Sequence, residues 1–365
     1  MKNAIKLGAV AATAALALAA CGSAPDAQSG DSSASGSGGG ASKACMVSDS
    51  GGFEDKSFNQ SGHEGMERAA KELGVATQFA ESQSDADFQP NIDSMVQGGC
   101  DLIVGVGFLM ADVMRESAVA YPDIKFALVD STFADPDAPD DPTPENSKAL
   151  VFNTAEASYL AGYVAAGMSE SGKVAAYVGA AIPSTNIFVD GFADGVKKYN
   201  EAKGTNIEML GGTKEKQDYA AVGNFEDTAK GKQLTEGFIQ QGADVIMPVA
   251  GPVGAGTLAA AKDSGKASVI WVDADGFETQ PEFGNLILTS VMKEIGQAVF
   301  DTVKSVQDGS WTHEDYVGDI KNGGVAIAPF HDFDSKVPAE LKDEVKKLEE
   351  QIASGELKVE TPNAP

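Results

Sequence analysis

Three aspartates each close a short apolar run. Asp49 follows the run at 44–48, Asp130 the run at 125–129 and Asp273 the run at 268–272. Residues of a restricted kind surround them. Asp49 opens the stretch D-S-G-G-F-E-D-K-S-F-N at 49–59, which holds Phe58 and Asn59; G-V-G-F stands at 105–108, A-G-P-V-G at 250–254 with Gly251 inside it, and D-A-D at 273–275. Small, aromatic and acidic residues in place of plain turn formers suit a flat, uncharged, hydroxyl-bearing molecule. An aromatic face stacks on a planar base for about 1–3 kcal/mol, and a carboxylate accepts hydroxyl protons in charge-assisted hydrogen bonds. The same carboxylates could instead serve as paired acid and base, as in glycoside hydrolysis.

Other chemistries lack their residues. G-P-V-G-A-G-T at 251–257 has the spacing of a phosphate loop but not the lysine that should precede Thr257. G-V-G at 105–107 lacks the third glycine of a dinucleotide fingerprint. His63, His313 and His331 have no metal-ligand spacing, and there is no H-E-x-x-H. No G-x-S-x-G elbow follows a strand. No catalytic residue, cofactor or metal is therefore expected, and the chain reads as a binder and not an enzyme. Its 27 basic residues face 54 acidic ones, a formal charge of −27. That excess argues against nucleic acid, whose phosphates need clustered Lys and Arg. It fits an anionic ligand poorly and solubility well.

The elements that carry these loops follow from periodicity. Strands are expected at 44–48, 76–80, 102–106, 125–129 and 150–153, with helices at 57–73, 89–97, 110–120 and 158–168. A second series from 173 has strands at 174–178, 207–210, 245–249 and 268–272 and helices at 187–200, 228–241 and 257–264. Residues 286–290 read as a strand, 291–306 as a helix, 324–328 as a late strand and 338–354 as a charged amphipathic helix. The Pro- and Asp-rich segment 136–147 is a loop. Strands alternating with helices make βαβ units and parallel sheets, and open parallel sheets bind ligands beyond the carboxyl ends of their strands. Every loop named above falls there. About 320 residues exceed what one core usually fills. The expected architecture is α/β, two Rossmann-like lobes with parallel sheets joined by a hinge. The first lobe spans 44–153, with 154–170 and about 285–308 returning to it; the second spans 171–284, with about 318–365 returning.

The first residues address a compartment. Lys2 and Lys6 precede an apolar run at 7–20, which ends L-A-A before Cys21. A basic start, a short apolar core and small residues make a secretory signal over 1–20. The apolar run is shorter than the roughly 20 residues that span a bilayer. L-A-A-C has the form of a bacterial lipobox, which would lipidate Cys21 at the head of a Ser/Gly-rich tether over 21–43. The chain would then sit on the outer face of a cell membrane. Cys45 and Cys100 open the first and third strands, which are neighbours in a 2-1-3 sheet with their starts at one edge. In an exported chain a Cys45–Cys100 disulfide is expected.

The run D-S-G-G-F-E-D-K-S-F-N-Q-S at 49–61 resembles the opening of the basic membrane protein family. The likeness continues with Y-L-A-G-Y-V-A-A at 159–166, F-V-D-G-F-A-D-G-V at 188–196, G-A-D-V-I at 242–246, A-G-P-V-G-A-G at 250–256 and L-T-S-V-M-K at 288–293. These are nucleoside-binding lipoproteins of ABC importers with the type I periplasmic-binding fold. The resemblance implies a monomeric receptor that delivers a nucleoside, a purine nucleoside foremost, to membrane permease subunits. It implies that Phe58 stacks on the base beside Asn59, that Asp49 lines the first lobe and that Asp130 meets the base edge. Phe188 or Phe192 supplies the second stacking face, Gly251 lets backbone approach the sugar, Asp273 holds ribose hydroxyls and Lys293 reaches into the cleft. After Val272 the chain reads D-A-D-G-F where the family more often has D-x-D-Q, which touches the sugar side. Plainer readings compete. Asp55 or Ser57 would cap a helix, Phe58 would be core, and Asp130 would close a turn with Ser131. Phe188 and Phe192 share a helix face, so one is core and one is site; Lys293 would simply pair with Asp273. The same fold could hold a sugar or a signalling molecule, and a nucleoside hydrolase would use the carboxylates catalytically.

Overall fold

Parallel strands covered on both faces are apolar throughout, and β3 (Leu102–Val106), buried at every position, is of this kind. The computed structural model describes residues 42–365 apart from 136 and 139. The expected signal segment at 1–20, the expected lipidation site Cys21 and nearly all of the expected tether at 21–43 lie outside the described residues. β1 (Lys43–Ser48), β2 (Ala76–Ala80), β3, β4 (Lys125–Val129) and β5 (Ser147–Phe152) alternate with α1 (Phe58–Leu73), α2 (Phe88–Gln97) and α3 (Ala111–Ala120). After α4 (Thr154–Met168) come β6 (Lys173–Val178), α5 (Pro183–Lys203), β7 (Glu208–Leu210), α6 (Thr228–Gln240), β8 (Val245–Val249), α7 (Gly254–Ser264), β9 (Ser268–Asp273), α8 (Gly276–Thr279) and β10 (Ile287–Lys293). The chain ends with α9 (Ile295–Gln307), β11 (Tyr316–Gly318), β12 (Val325–Ile327) and α10 (Ala339–Ser354).

Two sheets result, ordered β11-β5-β4-β3-β1-β2 and β12-β10-β9-β8-β6-β7. Pairing is parallel except between β10 and β12. In the first sheet, Cys45, Phe126 and Leu128 pack under Ile92 of α2 and Met114 of α3. In the second, Tyr177, Ile246 and Trp271 pack under Phe238 of α6 and Leu258 of α7. Cys45 and Cys100 are joined by a disulfide, with Cα atoms 6.0 Å apart. The register that sets Ala44 beside Leu102 brings the two starts together.

The late chain is divided differently from the expected lobes. α4 does not return to the first lobe. It packs on α5, β10, β12 and α10. From Thr154 to Ala166 every residue but Glu156 is buried, and a helix apolar all round needs cover on every side, which the second lobe provides. Residues 285–308 split: β10 joins the second sheet beside β9, and α9 packs on α1 of the first lobe. Residues 316–318 join the first sheet, while β12 and α10 stay with the second lobe. β10 also runs three residues past the expected strand end, because Val291, Met292 and Lys293 pair with β12. The chain thus passes between lobes after Asn153, at Glu294 and within 319–324. These passes are laced together by Asn153 N–H to Gly318 O at 2.8 Å and Glu294 N–H to Gly324 O at 2.9 Å.

Candidate functional site

The carboxyl ends of both sheets face one cleft. Asp49 lies just beyond β1, Asp130 beyond β4 and Gly251 beyond β8, while Asp273 and Lys293 end β9 and β10. Asp49, Phe58, Asn59, Asp130, Phe188, Gly251, Asp273 and Lys293 all line this cavity.

Asp130 and Asp273 end the fourth strand of each series and share an unusual backbone. Their φ angles are 64° and 69°, in the left-handed region. For a residue with a Cβ this conformation costs on the order of 1–3 kcal/mol, and it gathers at functional sites. Here it turns both carboxylates onto one ammonium. Lys293, 5% exposed, pairs with Asp130 of the first lobe and with Asp273 of the second at 3.1 Å. The ammonium lies 4.6 Å from the ring centre of Phe58 and 5.2 Å from that of Phe188. Rings from opposite lobes therefore face the same cation.

Burial and charge compete in this cluster. Burial works against the Lys293 ammonium, but the carboxylates of Asp130 and Asp273 outweigh it and hold its pKa above the ordinary lysine value. Burial lifts the Asp130 carboxyl, and Lys293 offsets only part of that. Asp49 has no cation beside it. Burial pushes it up to about 8 against the hydrogen bond from Asn59, so burial favours its protonated form.

The start of α1 sets the first-lobe wall. Asp55 accepts the backbone N–H groups of Ser57 at 3.0 Å, Asn59 at 2.8 Å and Gln60 at 3.0 Å, donors that a helix start leaves free. Even with these bonds, burial lifts its carboxyl to about 6. Ser57 makes no such capping bond with its side chain. Its hydroxyl crosses the cleft to Asp273 Oδ2 at 2.8 Å and also lies 3.2 Å from Val272 O. Phe58 and Asn59 follow directly. The Asn59 amide donates to Asp49 Oδ1 at 3.0 Å, while Asn59 Oδ1 is buried with no partner among the described residues.

Phe192 does not reach the cavity. One turn beyond Phe188, it is fully buried and its backbone presses on Gly162 of α4, so of the two phenylalanines it is the core residue. Gly251 has φ 50°, and nothing lies within 4 Å of where a Cβ would stand. It is a turn position whose Cβ direction opens on free space among the described residues. Phe225, Ile182, Ser184 and Thr185 also line the cavity, beyond the residues singled out from the sequence. Phe225 lies in the loop between β7 and α6. Its ring rests on Gly179, where a Cβ would fall 2.5 Å away. The usable signals were that glycine directly after β6 and an aromatic two residues before Asp227, which caps α6.

A family model described as "ABC transporter substrate-binding protein PnrA-like" matches residues 42–362. Among curated relatives, an uncharacterized lipoprotein of Pyrococcus abyssi is 32% identical, over 88% of this chain and 84% of its own length. The ABC transporter nucleoside-binding protein BmpA of Lactococcus lactis subsp. cremoris is 29% identical, over 87% of this chain and 88% of its own. Among solved structures, an ABC transporter solute-binding protein from Aeropyrum pernix K1 aligns with a TM-score of 0.78 at 28% identity, covering 88% of this chain and 94% of that one.

Proposed function

The chain belongs to the PnrA-like family of ABC transporter substrate-binding proteins, and on that premise we propose that it captures a nucleoside, a purine nucleoside foremost, between its two lobes. The observation that carries the reading is the pair of phenylalanines from opposite lobes, Phe58 and Phe188, facing one carboxylate–ammonium cluster. A base would stack on the rings, with Phe225 as further apolar wall. Asp49 with its proton and the free acceptor Asn59 Oδ1 form an adjacent donor and acceptor. A nucleobase edge offers the complement of that pair. Asp130 would meet the base edge, Asp273 would accept hydrogen bonds from ribose hydroxyls, and Lys293 would donate to a sugar oxygen. The name of the Lactococcus relative supports this ligand class.

Binding involves no bond making. Lobes of this fold close about their connecting segments, and a ligand shifts that equilibrium only as far as it prefers the closed form. The lobes already touch through Ser57 with Asp273 and Lys293 with Asp130. A micromolar ligand needs about −8 kcal/mol, within reach of ring stacking and a few satisfied hydrogen bonds. The loaded receptor would pass its cargo to membrane permease subunits. Cys21 would carry the lipid that keeps it there, as the lipoprotein name of the Pyrococcus relative supports.

The test is mass spectrometry of the small molecule that copurifies with the chain, together with melting curves in nucleosides, free bases, nucleotides, monosaccharides and amino acids. Nucleosides should raise the melting temperature. Nucleotides should not, since Lys293 is already shared by two carboxylates. A rise with monosaccharides alone would overturn the reading.

A further inference from the structure

A buried carboxylate behind the second-lobe wall has no part in ligand contact as described, yet it gathers three separate stretches of chain. Asp190, on α5 two residues after Phe188, is fully buried. Its Oδ1 accepts from Gln217 Nε2 at 2.7 Å and from the Tyr219 hydroxyl. Its Oδ2 accepts from the Thr361 hydroxyl and from Asn363 Nδ2 at 2.8 Å. One oxygen thus holds the loop between β7 and α6, and the other holds the extreme C-terminus. Asn363 Nδ2 is also 2.8 Å from Gln217 Oε1, and Lys214 of the same loop pairs with Asp194 and with the Glu360 carbonyl. Gln217 stands at φ 54°, a strained backbone that needs outside support.

This loop reaches the cleft. Beyond Tyr219 it lies along the end of β6, with Val222 N–H to Val178 O at 3.0 Å and Gly223 N–H to Gly179 O at 2.7 Å. Phe225 follows, on Gly179. On the other side of the carboxylate, α5 carries Ser184, Thr185 and Phe188 in the cavity lining. The C-terminal segment itself is pinned by Leu357 and Val359, which pack on the main core.

We propose that Asp190 and the C-terminal strap at 357–363 are positioning elements of the ligand site, holding the Phe225 loop and the head of α5 in the geometry that receives the ligand. This rests on the binding reading above. A carboxylate with two donors on each oxygen has one arrangement that satisfies all four. Releasing the strap frees one oxygen and loosens Gln217, while the packing of β6, α5 and α4 stays intact.

The test uses the full chain with Thr361→Val and Asn363→Ala together, and Asn363→Ala alone as a gentler variant. Hydrogen exchange at residues 217–225 is read without ligand, and dissociation of inosine and guanosine is read beside it. The inference expects faster exchange at 217–225 with an unchanged pattern in β1, β3 and β8. It also expects nucleoside affinity lowered by about fivefold or more through faster release, and graded effects between the single and double variants. A purely structural strap would lower the melting temperature and leave affinity and the 217–225 amides as they were, and that result overturns the inference. If the parent chain binds no nucleoside, the binding reading fails. The exchange data alone then decide whether the strap holds the loop, and unchanged protection at 217–225 overturns it.

Discussion

Asp49 and Phe58 show how position sets the task of a side chain. Asp49 is buried without a cation and has its pKa lifted to about 8, against about 3.9 in an unfolded chain. A carboxyl raised on folding contributes stability that is fully present below its unfolded pKa and is lost as pH rises through the folded one. Asp49→Asn keeps the acceptor for Asn59 and removes the titration. Its stability relative to the parent should therefore climb between pH 5 and pH 8, by on the order of a few kcal/mol, and level off above. Denaturation midpoints across that range test this, and parallel curves would refute it. The phenylalanines divide similarly. Phe58→Ala should weaken nucleoside binding roughly fivefold to 150-fold, the worth of about 1–3 kcal/mol of stacking, with little loss of stability. Phe192→Ala should cost about 3–5 kcal/mol of stability as a core deletion and leave affinity near the parent value. Isothermal titration and melting curves separate the two. Sequence spacing placed Phe188 and Phe192 on one helix face but could not choose between them, because the choice depends on α4 passing beside Phe192.

At the scale of elements, α1 couples a helix start to the site. Asp55 takes up three backbone donors that would otherwise be free, and the next residues are Phe58 and Asn59. Asp55→Ala should cost about 1–2 kcal/mol, as the loss of a helix cap does, and should speed hydrogen exchange at 57–60. Nucleoside affinity should fall as well, since the frayed turn carries Phe58, the proposed stacking ring. Unchanged exchange at 57–60 would show that the carboxylate is dispensable there. Most elements were legible because parallel strands here are short unbroken apolar runs between helices, as at Leu102–Val106. β10 runs beyond the strand its local pattern suggests, and α4 packs with the second lobe and not the first. Both differences have one origin: pairing and packing partners lie far along the chain. Val325–Ile327 extends β10, and the second lobe with its C-terminal helix covers α4.

For the molecule as a whole, Lys293 is the charge that ties the lobes. It ends a second-lobe strand, yet it pairs with Asp130 of the first lobe as well as with Asp273. Lys293→Met would leave two buried carboxylates facing each other without a cation. Removing one partner of a buried ion pair costs about 3–5 kcal/mol, and parting the lobes relieves it. The ligand-free variant should therefore show a larger radius of gyration by small-angle X-ray scattering than the parent. An identical radius with a lower melting temperature would mean that Lys293 stabilises one lobe without linking the two.

Local patterning was enough for the α/β class, the two series of parallel strands and the place of the cleft-lining loops, because side-chain period and strand-end position are properties of short stretches. The run at 49–61, with the later matching runs, was enough for the family. Folding in three dimensions decided the rest. It sent the chain between lobes three times, put Phe192 in the core and Phe225 at the cleft, and shared one lysine between carboxylates 143 residues apart. Those outcomes depend on which distant surfaces cover one another, and no window of neighbouring residues contains that information.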